Sequence, residues 1–287
     1  MFATPTALRE RVLLFLKGMA MGVADSVPGV SGGTIAVISG IYEALINALK
    51  QCHPLALKTL WQQGPRAFWQ QIHGSFLLTL LSGILLSLVL MANTVLYLLD
   101  QHFVLVMAFF MGLVLASCWL LRAEAGRWSV FKVLLFAIGF VLTALTAVLN
   151  PMAGSTALPY IFISGMIAIC AMILPGISGA FLLLLLGVYE YVLGALRNAE
   201  VDVILVFGLG CAIGLLSFAH LLSWTFRHYR EQSYAFIIGM LAASLIVLWP
   251  WREATVPAAD TGTVLAAVLC AFLGCAVILG FSRLARG

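Results

Sequence analysis

Charge is the scarcest ingredient of this 287-residue chain: 15 Lys and Arg and 11 Asp and Glu make up 9% of it. Soluble domains carry roughly 25% charged residues, so a water-facing surface cannot be assembled from this composition. Cysteine is sparse as well, with six residues and no C-x-x-C pair, which excludes a disulfide scaffold and a structural zinc site. Clustered basic residues are also missing. The net charge is only +4 and the Lys and Arg stand singly, so nucleic acid is not the partner. What the chain has in excess is apolar residues, at 63%. The composition predicts an all-α integral membrane protein of many helices.

Apolar runs close to the 20 residues that a bilayer helix needs lie at about 76–99, 103–121, 131–149, 203–226, 234–249 and 262–281. They are too long and too continuous for barrel strands. Two further pairs of runs are interrupted. The pair 12–27 and 31–49 is broken at Pro28 and Gly29, and the pair about 160–174 and 177–196 is broken at Pro175 and Gly176. The apolar stretch Val12 to Leu16 is cut by Lys17, Gly18, Gly22 and Asp25, so no signal-peptide core forms and the first segment is expected to stay in the mature protein. Sorting Lys and Arg by loop places thirteen on the side of the N-terminus and only Arg197 and Arg252 on the other. The positive-inside rule then predicts that both termini are cytoplasmic.

The chain repeats itself. Shifted by 147 residues, Gly18–Leu49 matches Gly165–Leu196 at 12 of 32 positions, including Pro28-Gly29-Val30-Ser31-Gly32 with Pro175-Gly176-Ile177-Ser178-Gly179 and Tyr42-Glu43 with Tyr189-Glu190. Further on the offset is 127, pairing Gly83 with Gly210, Gly112 with Gly239 and Ser117 with Ser244. The difference is a loop around 50–75, whose Trp61, Phe68, Trp69, Lys58 and Arg66 suit either an interfacial helix or a plain surface loop. Two halves emerge, 1–150 and 151–287, each with one broken pair and three spans, integrated into one membrane domain. An odd number of crossings per half turns the second upside down. Inverted repeats with broken helices are a transporter architecture, with the site where the repeats meet near the midplane. Re-entrant hairpins are the expected form of the broken pairs, because the first segment is only about 22 Å long as a helix.

Ser31 and Ser178 stand where helix N-caps belong. The starts Ser31-Gly32-Gly33-Thr34 and Ser178-Gly179 then offer uncovered N–H groups and partial positive charge to an anion such as phosphate or carboxylate. The plainer alternative is a tight turn packed through small residues. Ionisable residues inside apolar runs are few: Lys17, Asp25, Glu43, Glu190, Asp202 and His220. Asp25, which has Met172 in its place in the second half, suits a coupling cation (H+ or Na+) or a turn cap. Glu43 and Glu190 suit gates, proton carriers or partners of a base such as Lys17, and equally carboxylates at headgroup level. Asp202 reads as interfacial and His220 as a packing histidine. Gly29-Val30-Ser31-Gly32-Gly33 also matches the G-x-S-x-G of serine hydrolases, with His220 as the one candidate base. The second copy ends in Ala180, and the context is not a strand–turn–helix. A non-enzymatic carrier without cofactor or metal is therefore the expectation, with a small-anion transporter, the hydrolase and a non-transporting scaffold as alternatives.

The run Gly18 to Thr34, GMAMGVADSVPGVSGGT, with its second Pro-Gly-Ile-Ser-Gly copy, resembles the polyprenyl-phosphate transporter family, PopT type, over essentially the full length. The resemblance implies return of undecaprenyl phosphate, the carrier lipid of cell-wall building blocks, from the outer to the inner leaflet of the bacterial cytoplasmic membrane. Site residues transfer only to the matching motif positions, Asp25 to Thr34 and Pro175 to Gly179.

Overall fold

A computed structural model describes residues 8–25, 31–53, 55–251 and 260–286. Pro28 and Gly29, expected to form the first break, lie outside the described residues. Every regular element among those described is a helix. The first half holds α1 (Leu8–Asp25), α2 (Gly32–Ile38), α3 (Tyr42–Gln51), α4 (Ala56–Gln63), α5 (Pro65–Gln71), α6 (Gly74–Leu121) and α7 (Val130–Val148). The second holds α8 (Leu158–Ile173), α9 (Gly179–Leu185), α10 (Tyr189–Asn198), α11 (Val201–His228), α12 (Arg230–Val247) and α13 (Thr261–Arg286). Tyr97–Leu121, Val130–Val148, Val201–His228 and Thr261–Gly280 are each long and apolar enough to cross a bilayer, and bent helix pairs raise the number of spans to as many as seven. Large apolar side chains along them, such as Leu85, Val141, Leu205 and Leu269, are exposed, as a hydrocarbon solvent requires. The protein is a multi-pass membrane protein.

One expectation is corrected. The segments 31–49 and 177–196 are not single helices. Each is a short helix followed by a second one bent away, by 117° between α2 and α3 and by 106° between α9 and α10. The bends fall at Gly40 (φ +72) and Gly187 (φ +67), left-handed conformations that glycine adopts without a Cβ clash. The runs 76–99 and 103–121 meet without a loop: α6 consists of two helices joined at a kink, His102 (φ −136, ψ 36), as the two separate runs predict. At about 1.5 Å per residue its 48 residues would make some 70 Å, over twice the hydrocarbon core, so its two parts serve as separate segments. The joint between α11 and α12 is Tyr229, with φ −137 and ψ 48. His102 and Tyr229 are 127 positions apart, the offset of the sequence repeat.

The same offsets recur in the packing. A methyl added to Gly83 on α6 would strike the carbonyl oxygen of Phe15 on α1, and one on Gly210 of α11 would strike that of Phe162 on α8. Between the halves the pairing is reciprocal. Gly112 of α6 lies on the Ala271 carbonyl of α13, and Gly274 of α13 on that of Phe109. Gly239 of α12 lies on the Phe136 carbonyl of α7, and Gly139 of α7 on that of Phe236. Small residues let apolar helices approach to backbone contact, where dispersion and weak polar contacts replace the missing hydrophobic drive. Each half thus lends its last helix to the other half's next-to-last, and α12, half of whose residues are buried, packs against α6, α7 and α11.

Overpacking a closed contact costs about 1–3 kcal/mol. Gly239→Val and Gly112→Val are each expected to lower unfolding stability in mixed micelles by that amount. Gly208→Ala, whose added methyl meets open space, should leave it unchanged.

Candidate functional site at the crossed helix breaks

The start of α2, the helix that follows the first break, meets the second break, and their polar groups bond across the boundary between the halves. The hydroxyl of Ser31, at the start of α2, faces the carbonyl oxygens of Leu174 (3.3 Å) and Met172 (3.4 Å) at the end of α8. The N–H of Gly176 donates to Oγ1 of Thr34 at 3.1 Å. Ser31, Thr34, Pro175 and Gly176 are buried. A methyl on Gly33 would come within 2.6 Å of the Ile173 carbonyl oxygen, so the glycine permits backbone-to-backbone contact between α2 and α8. What meets here is the start of α2 with the end of α8 and Gly176, whereas the hydroxyl of Ser178 bonds within its own helix start.

The donors at the start of α2 are already engaged. Gly32 N–H donates to the Asp25 carboxylate at 2.6 Å, Gly33 N–H to the Ser31 hydroxyl at 3.1 Å, and Thr34 N–H to the Ser31 carbonyl at 2.8 Å. Asp25 comes from the last residue of α1. Lys17, two helical turns earlier on α1, sends Nζ to the Ser39 carbonyl at the other end of α2, 2.7 Å away. A carboxylate at the N-terminal end and an ammonium at the C-terminal end both match the helix dipole. Lys17 is therefore the cap of α2 and not the partner of Glu43.

The corresponding start of α9 differs. The Ser178 hydroxyl accepts from Phe181 N–H at 3.4 Å, Met172 takes the place of Asp25, and Ser164 that of Lys17. Ser178 is half-buried, Gly179 is pressed against the Ala168 carbonyl, and Ala180 is exposed. One helix start thus carries a resident carboxylate and the other has none.

Glu43 and Glu190, equivalent in sequence, have unlike surroundings. Glu43 Oε1 accepts from Arg230 Nε and from Tyr234 O–H, each at 3.0 Å, and Arg230 Nη2 reaches Glu124 at 3.1 Å. This ties α3 to the α11–α12 joint and to the α6–α7 loop. The hydrogen bond to Glu43 raises the Arg230 pKa above its ordinary value. Lys50 to Ser223 and Ser223 to Asn47 add a second tie between α3 and α11, and Lys132 pairs with Glu231. Glu190 is exposed and has no hydrogen bond or ion pair among the described residues. In sequence Arg230 is one of the thirteen basic residues sorted to the side of the N-terminus, and its alignment with Phe103 in the repeat is the sign that it is special to one half.

The serine-hydrolase pairing does not form. His220 is exposed, and its Nδ1 lies 2.7 Å from the Leu216 carbonyl of its own helix, whereas Ser31 is buried against α8. Among the described residues no three His, Cys, Asp or Glu gather as a metal set would.

A family model described as VCA0040-like, undecaprenyl phosphate translocase-like, matches residues 21–265. A protein of Vibrio cholerae serotype O1 named polyprenyl-phosphate transporter is 44% identical over 239 residues, covering 83% of this chain and 78% of the relative. A protein of the same name from Staphylococcus aureus is 32% identical over 254 residues, covering 82% and 85%. No solved structure matches.

Removing a charge-assisted hydrogen bond in a buried place costs about 1.5–3 kcal/mol. Asp25→Ala is expected to lower unfolding stability by that much, and Lys17→Ala by about 0.3–1 kcal/mol. Glu190→Ala should change it by less than about 0.5 kcal/mol. The comparison is made by SDS-titrated unfolding at neutral pH.

Proposed function

We propose that this chain, which belongs to the VCA0040-like, undecaprenyl phosphate translocase-like family, carries a polyprenyl phosphate across the bilayer. Its substrate is undecaprenyl phosphate, taken from the outer leaflet of the bacterial cytoplasmic membrane to the inner one for reuse in peptidoglycan and other envelope synthesis. The names of two relatives, each at least 32% identical over most of both chains, support the substrate class and the non-enzymatic character. The observation that carries the assignment to a site is the crossing of the two breaks, where Ser31 and Thr34 bond to the end of α8 and to Gly176. Non-helical backbone inside a bilayer is tolerated where it is buried in protein or lines a cavity, and such breaks form the sites of inverted-repeat transporters.

In this reading the halves lie inverted in the membrane, with both termini and the Glu43–Arg230–Glu124 network on the cytoplasmic side. That side is also the one favoured by thirteen of the fifteen basic residues. The lipid phosphate enters beside Ser178 and Gly179, where no carboxylate competes. It then exchanges with the Asp25 carboxylate at Gly32. Protonation of Asp25, or its pairing with Na+, frees the Gly32 N–H and couples inward movement of the cation to that of the lipid. Breaking and remaking the Glu43–Arg230 contact opens and closes the inner side, and Glu190 acts on the outer side.

The test is flipping of labelled undecaprenyl phosphate in proteoliposomes, read by a membrane-impermeant phosphatase with and without an imposed H+ or Na+ gradient. Acceleration over empty vesicles is expected, and its absence sinks the proposal. Ser178→Ala should slow flipping about tenfold, the equivalent of about 1.4 kcal/mol. Asp25→Asn should retain downhill flipping and lose the response to the gradient. Uptake of inorganic phosphate with no lipid movement would point instead to a small-anion carrier.

A further inference from the structure

A cavity of about 600 Å³ lies between α7, α11 and α12, with Leu174 among its lining residues. That volume is within the range of sites for small organic ligands, roughly 300–1,000 Å³. Its walls come from both halves: Leu142 from the first, Leu174, Phe218, Leu221 and Phe236 from the second. The few polar side chains, Thr225, Tyr229, Gln232 and Ser233, gather at the α11–α12 joint. The Thr225 and Ser233 hydroxyls are already bonded to their own helices, through the Leu222 and Tyr229 carbonyls. The interior therefore offers almost nothing to a polar guest.

We infer that this cavity holds the isoprenoid chain of the polyprenyl phosphate next to its phosphate, an inference that rests on the proposed transport of that lipid. Continuity with the crossed breaks identifies the occupant. Leu174 lines the cavity, and its carbonyl oxygen is one of the two that face the Ser31 hydroxyl. A lipid whose phosphate lies at the start of α2 has the first units of its chain beside Leu174. Two other lining residues, Leu142 and Leu221, are 45% and 53% exposed on helices that face the bilayer, so the rest of a long chain leaves sideways without crossing polar protein. The phenyl faces of Phe218 and Phe236 suit the methyl groups and double bonds of a single isoprenoid chain. A phospholipid would have to bring a glycerol and two chains past the same point.

The experiment uses the purified full-length chain in nanodiscs with a polyprenyl phosphate bearing a diazirine on its second isoprene unit, and cross-linked peptides mapped by mass spectrometry. Labelling is expected on peptides of α7, α11 and α12 that contain Leu142, Leu221 or Phe236. Excess unlabelled polyprenyl phosphate should suppress it, and equal phosphatidylglycerol should not. Leu142→Trp and Leu221→Trp fill the mouth at lipid-facing positions and should weaken site-specific labelling about tenfold with unchanged unfolding stability. Labelling spread evenly over lipid-facing helices overturns the inference, as does equal competition by phosphatidylglycerol or wild-type labelling of both Trp variants. Because labelling reports binding, it decides the question even if vesicles show no flipping; flipping with labelling elsewhere sinks the cavity and spares the transport reading.

Discussion

Everything at the crossed breaks depends on holding a seven-residue helix, α2, in place, and α1 does this with two charges. Helices shorter than about 12–15 residues are marginal by themselves, and α2 is far below that length. Asp25 closes its N-terminal end and Lys17 its C-terminal end. Both signs agree with the helix dipole, so the pair stabilises one orientation of α2 and opposes its reverse. Ser31 and Thr34 reach the other half only because α2 is fixed in this way. In a chain with 26 charged residues, two of them are assigned to one helix of two turns.

The second half repeats the backbone without the charges. Ser164 and Met172 stand at the positions of Lys17 and Asp25, and Phe103 stands opposite Arg230. The bends at Gly40 and Gly187 and the joints at His102 and Tyr229 have nearly the same conformations. The two helix starts therefore differ: Asp25 holds the Gly32 N–H at one, and among the described residues no carboxylate bonds to the other. In the proposed cycle this inequality gives the lipid phosphate a direction, since one helix start is open to it and the other is held by an exchangeable carboxylate.

Much of this arrangement is legible in the sequence, for definable reasons. Apolar runs report the spans because the bilayer sets their length. The Pro-Gly-x-Ser-Gly copies report the breaks because proline and glycine end helices. Lys17 and Asp25 stand out because charge within an apolar run is costly. The bends at Gly40 and Gly187 escaped notice, although both glycines are in the aligned repeat, since a left-handed residue between two apolar helices leaves no gap in hydropathy. The kink of α6 at His102 is legible, because the polar Asp100-Gln101-His102 separates the two apolar runs. The Asp25–Gly32 bond and the Glu43–Arg230 pair are tertiary, and residue type alone does not choose the partner 187 positions away.

The reciprocal exchange of helices between the halves also sets the order in which the molecule can be built. During synthesis α7 enters the membrane well before α12 exists, and the later part of α6 waits longer still for α13. At about 5–20 residues per second these intervals last for seconds. Through that time Gly112 and Gly139 present bare backbone to lipid, a surface to which any passing small-residue helix can bind. The first half is thus an unfinished interface while the second is being made, and assembly requires that the early helices be kept beside the site of insertion until the last one arrives. An interleaved bundle is the product, and neither half completes its helix packing without the other.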